Sequence, residues 1–167
     1  MLQRILQQLK EPVVVKQPVI VRQVNFYTGW VNVPGIGTGA AYATGEAVGT
    51  KFSFEVPKSG TISVAVFLDK DDEGLEMDLV LFTDDFLETA DNAAFAVTDN
   101  DLKNFLSTIT FATFKNFDAN QVSTAAALGL DYVAPKRRLW GQFVTRGAPN
   151  IAAGNLPQFS LTIRVDE

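Results

Sequence analysis

Alternation of apolar and polar residues at every second position recurs along this chain, and it limits the fold more than any other feature. Phe159, Leu161, Ile163 and Val165 make a one-sided stripe, and only an extended strand puts residues i, i+2 and i+4 on one face. Phe52, Phe54 and Val56 alternate with Lys51, Ser53 and Glu55; beyond Pro57-Lys-Ser-Gly60, Ile62, Val64, Val66 and Leu68 resume the pattern, which predicts a hairpin. Met77–Phe82, residues 107–114 and Arg138–Thr145 read as further strands. Thirteen Phe beside two Met and two Trp agree, because aromatic and branched side chains pack well on a pleated surface. Short strands joined by turns, each with a face to cover, predict an all-β protein: a two-sheet β-sandwich, jelly-roll-like, with one short helix and an extended N-terminal arm. The length of 167 residues suits one domain able to bury about 70% of its unfolded surface.

The helix is expected after Thr98-Asp-Asn-Asp101, a capping-box pattern followed by Leu102, Phe105 and Leu106 on one helical face, and it is expected to plug one end of the sandwich. Ala and Leu in residues 121–130 leave a second helical turn open. Residues 25–46, with Pro34-Gly35-Ile-Gly37-Thr-Gly39, read as a loop. No Gly-Lys-Ser/Thr follows these glycines, so they do not match a phosphate-binding motif.

Residues 1–24 read as an arm and 25–167 as the body. Leu2, Ile5, Leu6 and Leu9 fall at i, i+3, i+4 and i+7, the spacing of a short amphipathic helix that needs a surface to dock on. A tandem repeat follows, Pro12-Val-Val-Val-Lys-Gln17 and Pro18-Val-Ile-Val-Arg-Gln23. Each Pro removes a backbone donor, so the repeat is an extended segment or edge strand, suited to strand addition on another subunit. The expected partner-binding residues are therefore Leu2, Ile5, Leu6, Leu9, Val13, Val15, Val19 and Val21. Arg4, Lys10, Lys16 and Arg22 against Glu11 give residues 1–23 a charge of +3, leaving −8 for the rest of a chain whose net charge is −5. The cations are too sparse for phosphate tracking, so no nucleic-acid partner is expected; an acidic protein surface, such as a neighbouring copy, suits them better.

The chain has no Cys and no His. That removes thiolate and imidazole nucleophiles and bases, together with their metal sites, and no enzyme activity or cofactor is expected. Residues 1–10 lack an apolar core of signal-peptide length, and no stretch reaches the roughly 20 apolar residues of a membrane helix; no membrane partner is expected. Ten carboxylates lie between Asp69 and Asp91 against Lys70 alone. Asp69-Lys-Asp71-Asp-Glu73-Gly74 matches the first half of a calcium loop, but position twelve is Val80 where a bidentate Glu is required; a solvated turn is the plainer reading. Tyr27, Trp30, Tyr42, Tyr132 and Trp140 could stack on sugars or serve as core and interface anchors. Lys136-Arg137-Arg138 reads as a solvated strand edge that discourages sheet-to-sheet pairing.

The succession Asp78-Leu-Val-Leu-Phe82, Asp91-Asn-Ala-Ala-Phe95, Thr98-Asp-Asn-Asp101, Arg146-Gly-Ala-Pro149 and a last strand over residues 158–165 resembles that of small structural proteins encoded beside the major capsid gene of tailed bacteriophages. The resemblance covers about residues 45–165 and does not extend to the arm. It implies a head decoration, or cement, protein: a β-sandwich made in the host cytoplasm that binds the outside of the capsid, often as a homotrimer, and holds neighbouring major capsid protein subunits together. The competing readings are a carbohydrate-binding module and a tail or baseplate component.

Overall fold

The computed structural model describes residues 24–37, 41–152 and 154–165. Its strands are β1 (Val24–Tyr27), β2 (Val31–Asn32), β3 (Ala47–Glu55), β4 (Ser59–Asp69), β5 (Met77–Phe82), β6 (Phe105–Phe111), β7 (Phe114–Asn116), β8 (Gln121–Val133), β9 (Arg138–Thr145) and β10 (Gln158–Val165). One sheet runs β1-β10-β4-β8-β7 with β2 also on β10, and the other runs β3-β9-β5-β6; every pairing is antiparallel. Among these strands the pairs nest: β1 with β10, β3 with β9, β4 with β8, β5 with β6. Successive nested pairs fall in alternate sheets, as when one long antiparallel ribbon is rolled around a core, and the fold is a jelly-roll sandwich.

The inner faces meet through phenylalanine. Phe143 of β9 lies 5.5 Å from Phe159 of β10 and 5.2 Å from Phe67 of β4, between ring centroids, and Phe52 of β3 lies 5.1 Å from Phe159. Rings from both sheets therefore tie the layers together, with Leu79, Leu81, Ile109, Leu139, Leu161 and Ile163 filling the space between them. Aromatic pairs of this kind contribute about 0.5–1.5 kcal/mol each beyond their burial.

Five expectations are corrected. β3 and β4 do not form a hairpin: β3 pairs with β9, β4 pairs with β8 and β10, and residues 56–58 carry the chain from one sheet to the other. Both strands bury aromatic residues, but from opposite sides of one core. Along β4 the buried apolar set is Ile62, Ala65 and Phe67, not the uninterrupted 62-64-66-68 stripe, because a bulge at Ser63 shifts the register against both neighbours. Residues 121–130 belong to the longest strand, not a helix. The expected helix is a single 3-10 turn, Asp101–Asn104, with no buried residue, so it plugs nothing; Phe105 already starts β6. Residues 25–46 are also more than loop, since β1 and β2 fall in them.

Candidate assembly surfaces

The eight residues expected to bind partners, Leu2, Ile5, Leu6, Leu9, Val13, Val15, Val19 and Val21, lie outside the described residues. The structure does fix where the arm joins the body. Val24 opens β1, an edge strand of the six-stranded sheet, opposite Val165 of β10.

The outer face of the four-stranded sheet is covered by the 83–104 segment. Phe86, Phe95 and Val97 of that segment pack on Val80, Phe82, Trp140 and Val144, with the Phe86 ring stacked 4.2 Å from Phe82. Gln142 is fully buried beneath it. Its Nε2 donates to Gly49 O (2.9 Å) and Thr89 O (2.6 Å), and its Oε1 accepts from Thr89 N (3.2 Å). Two residues on, Asp91 accepts from Tyr42 OH (2.7 Å) and from the backbone N–H groups of Gly37 (2.7 Å) and Gly49 (2.6 Å). Burial, and then this bond to a carboxylate, raise the Tyr42 phenol far above its ordinary pKa. Gly49 has φ +68, and a Cβ there would run into Pro34 O, so only glycine lets Asp91 and the 34–36 turn close on β3. Asp91-Asn-Ala-Ala-Phe95 is thus a tie between segments: Ala47 N donates to Ala93 O and Asn92 N to Ala47 O.

The carboxylates of the half calcium loop turn toward separate donors. Asp69 accepts from the Asp71 and Gly74 amides at 2.9 and 2.8 Å. Asp71 accepts from Ala152 N and Asn155 Nδ2 at 2.5 and 2.8 Å, and Asp72 from Asn116 Nδ2 and Gln121 Nε2 at 2.7 Å each. They close their own turn and fasten it to two neighbouring loops. Asp78 is almost fully buried; it accepts from Arg146 at 2.6 Å and from Thr110 Oγ1 at 2.6 Å.

The five aromatics considered for sugar stacking do not share a platform. Tyr42 and Tyr132 are buried, Trp140 lies under Lys136, and only Tyr27 and Trp30 are exposed, on β1 and the turn after it. Burial pushes the Tyr132 phenol up to about 12, and among the described residues its hydroxyl finds no hydrogen-bond partner. Lys136-Arg137-Arg138 is not a strand edge, because it leads into β9, an inner strand between β3 and β5. Lys136 pairs with Asp84 at 2.7 Å and, with the Asp85 amide, lowers the Asp84 pKa. The same turn lines an open cleft of about 330 Å3 with Phe26, Glu55, Val56 and Pro57.

One surface has no counterpart in the sequence reading. Leu87, Leu102 and Phe105 are 67%, 51% and 45% exposed. They belong to one region: Leu87 N donates to the Asp101 carboxylate (3.3 Å), Thr83 N to Asn104 O (2.9 Å), and Phe105 packs edge-on against Phe82. The face expected of Leu102, Phe105 and Leu106 is split: Leu102 lies on the 3-10 turn, Phe105 opens β6 and Leu106 packs against the core.

No family model matches the sequence, and no curated protein matches it. Among solved structures the chain is similar to VP1 of Trichodysplasia spinulosa-associated polyomavirus, with 9% identity and a TM-score of 0.37 over 92% of this chain and 98% of that one. A likeness this distant says nothing about what the chain does.

Proposed function

We propose that the chain is a virion structural protein, a capsid decoration or cement protein. In this reading it binds the outer surface of a phage head as a homo-oligomer, a trimer as the resemblance implies, and stabilises the shell by bridging subunits of the major capsid protein. The observation that carries the proposal is where the resembling motifs lie. Asp78 of the first motif pairs with Arg146 of the last. Asp91 of the second ties three segments together, and within the third the Thr98 hydroxyl donates to the Asp101 carboxylate at 2.6 Å. The residues that carry the resemblance are the joints of the jelly roll, which favours a shared fold over chance spacing. The buried carboxylates Asp69 and Asp78 are engaged by internal donors, which supports a scaffold role for them.

The mechanism would be additive burial. Val13, Val15, Val19 and Val21 laid on a neighbour at about 25 cal/mol per Å2 outweigh the ordering cost once a few hundred Å2 are covered, and repetition over a shell multiplies the gain through avidity. Deleting residues 1–23 should leave the body folded by circular dichroism yet abolish oligomerisation and retention on undecorated heads. A full-length protein that stays monomeric at high concentration and ignores such heads ends the proposal. A glycan-binding module is the second reading, favoured by the exposed pair Tyr27 and Trp30; binding on a glycan array would support it.

A further inference from the structure

The open cleft beside the 136–138 turn has an apolar part, Phe26, Val56 and Pro57, and a charged part, Glu55 with Lys136, Arg137 and Arg138. Contacts already made account for most of that charge. Lys136 is held by Asp84 at 2.7 Å. Arg138 donates to Ser53 Oγ at 2.8 Å and has Glu55 at 3.9 Å. Among the described residues the ion pairs engage Lys51, Lys136, Arg138 and Arg146, which leaves the Arg137 guanidinium as the uncompensated cation of the cleft.

The backbone at Arg137 points the same way. Its φ of 54 is left-handed, a conformation strained for any residue with a Cβ and open to glycine. Val56 N donates to its carbonyl at 3.1 Å and its own amide donates to Ala134 O at 2.8 Å, so two hydrogen bonds hold the strained residue in place. Strain of this kind gathers at ligand clamps. We infer that the cleft binds a carboxylate side chain from an extended acidic segment of another protein, with Arg137 as the clamp and Phe26, Val56 and Pro57 against the aliphatic stem. The inference goes beyond the decoration reading and does not depend on it.

Charge selects the ligand. A single uncompensated guanidinium matches one negative charge, and its planar fork fits a carboxylate; a phosphate dianion would stand beside Glu55. The strands that supply Phe26 and Glu55 select a peptide over a free acid. β1 and β3 are edge strands of the two sheets, and among the described residues neither Val24–Tyr27 nor Phe52–Glu55 has a strand on its outer side. Open backbone donors and acceptors on such edges suit an extended chain laid alongside. The chain's own segments fit less well. Residues 1–23 carry Glu11 against four cations, the wrong sign for this cleft, and Asp166 and Glu167 follow β10, which lies inward of β1. Nor does a second copy offer its acidic stretch freely, since Asp69, Asp71, Asp72, Asp78, Asp84 and Asp91 are engaged by donors of their own chain.

The test titrates isotope-labelled full-length protein with a blocked valine and threonine peptide carrying one central glutamate, and with its glutamine counterpart, followed by amide chemical shifts. The glutamate peptide should shift Phe26, Glu55, Val56 and residues 136–138, and the glutamine peptide should bind about tenfold more weakly. Arg137→Gly keeps the left-handed backbone without strain, so it should melt no lower than the parent and yet lose the preference for glutamate. Arg137→Lys keeps the charge but not the fork and should weaken the glutamate peptide several-fold. Equal affinity for the two peptides, shifts confined to other surfaces, or an undiminished preference in Arg137→Gly overturns the proposal. Inorganic phosphate displacing the glutamate peptide at equal concentration overturns the choice of a carboxylate. Binding that appears only after Asp166→Asn and Glu167→Gln places the chain's own last residues in the cleft and overturns the choice of another protein.

Discussion

Gln142→Leu should be the most damaging single change of near-constant volume in the body, and the structure sets its size. The side chain is fully buried between the four-stranded sheet and the 83–104 segment. Leucine would fill nearly the same space but leave Gly49 O, Thr89 O and Thr89 N without the partners that Gln142 supplies. A buried polar group stripped of its partner costs about 1–3 kcal/mol. With three such groups, and some relief from water entering beside the exposed segment, the loss is about 3–5 kcal/mol, a large part of the 5–15 kcal/mol typical of a domain. Urea denaturation followed by tryptophan fluorescence measures it, and hydrogen exchange should show residues 84–98 losing protection before the sheets do. Gln142→Glu adds a check of sign. Its neutral acid can still donate to one carbonyl, whereas its anion would face two, so its folded pKa is raised; the contribution is fully present below the unfolded value near 4.3 and is lost as pH rises through the folded value. The Glu variant should therefore fall further behind the parent at pH 7 than at pH 4. A Leu variant within about 1 kcal/mol of the parent would refute the view of Gln142 as the tie between segment and sheet.

Three other changes follow from buried polar atoms. Tyr132→Phe removes a buried hydroxyl without a partner and should stabilise the protein by about 1 kcal/mol in the same assay; a loss of stability would mean the hydroxyl is bonded in solution. Because the folded pKa of Tyr132 is raised to about 12, its contribution is complete below pH 10 and disappears as pH climbs through the folded value, so the Phe variant should lose about 1.4 kcal/mol less per pH unit in that window. At the Asp78–Arg146 pair, Arg146→Met should cost about 2 kcal/mol and Asp78→Asn about 1, because the first strands a charge on the buried partner and the second leaves the half-exposed guanidinium in reach of water. Equal losses in thermal denaturation would contradict that asymmetry.

β5, β9 and β10 could be read directly from the sequence because each is a continuous apolar run or a one-sided stripe, and their observed limits are Met77–Phe82, Arg138–Thr145 and Gln158–Val165. Pairing could not be read so directly. Pro57-Lys-Ser-Gly60 suits a hairpin turn and a corner between sheets equally well, and what decides is that Phe52 and Phe54 meet Phe159 of the opposite sheet, a contact more than a hundred residues away in the chain. The bulge at Ser63 left no mark, since serine is ordinary in a strand. The alanines of Thr-Ala-Ala-Ala-Leu-Gly leave a helical turn open over residues 121–130, and pairing with β4 along almost the whole strand overrides that propensity. The acidic turn at 69–74 carried a ligand-like spacing, but its carboxylates had loops to fasten, which no local pattern records.

β8 also leaves one sheet edge partly free. β7 pairs with residues 121–123 of β8 and no further. Among the described residues, the edge from Thr124 to Val133 therefore has no strand beside it, and such an edge invites pairing with another chain. It is interrupted where register shifts between Ile62 and Val64 of β4: Ala127 and Gly129 both take left-handed backbone, at φ 55 and φ 61. A bulge of this kind bends the strand and breaks the flat row of donors and acceptors that an incoming strand needs. A side chain at Gly129 would meet open space, so Gly129→Ala isolates the backbone cost. In an unstrained position Gly→Ala stabilises by about 0.4–1 kcal/mol through the unfolded state, whereas a left-handed residue with a Cβ costs about 1–2 kcal/mol. The net expectation is a loss of about 0.5–1 kcal/mol by urea denaturation, with no clash to explain it. Stabilisation by Gly129→Ala would show that residue 129 leaves the left-handed region in solution. The edge of β8 would then be straighter and open to pairing with another chain.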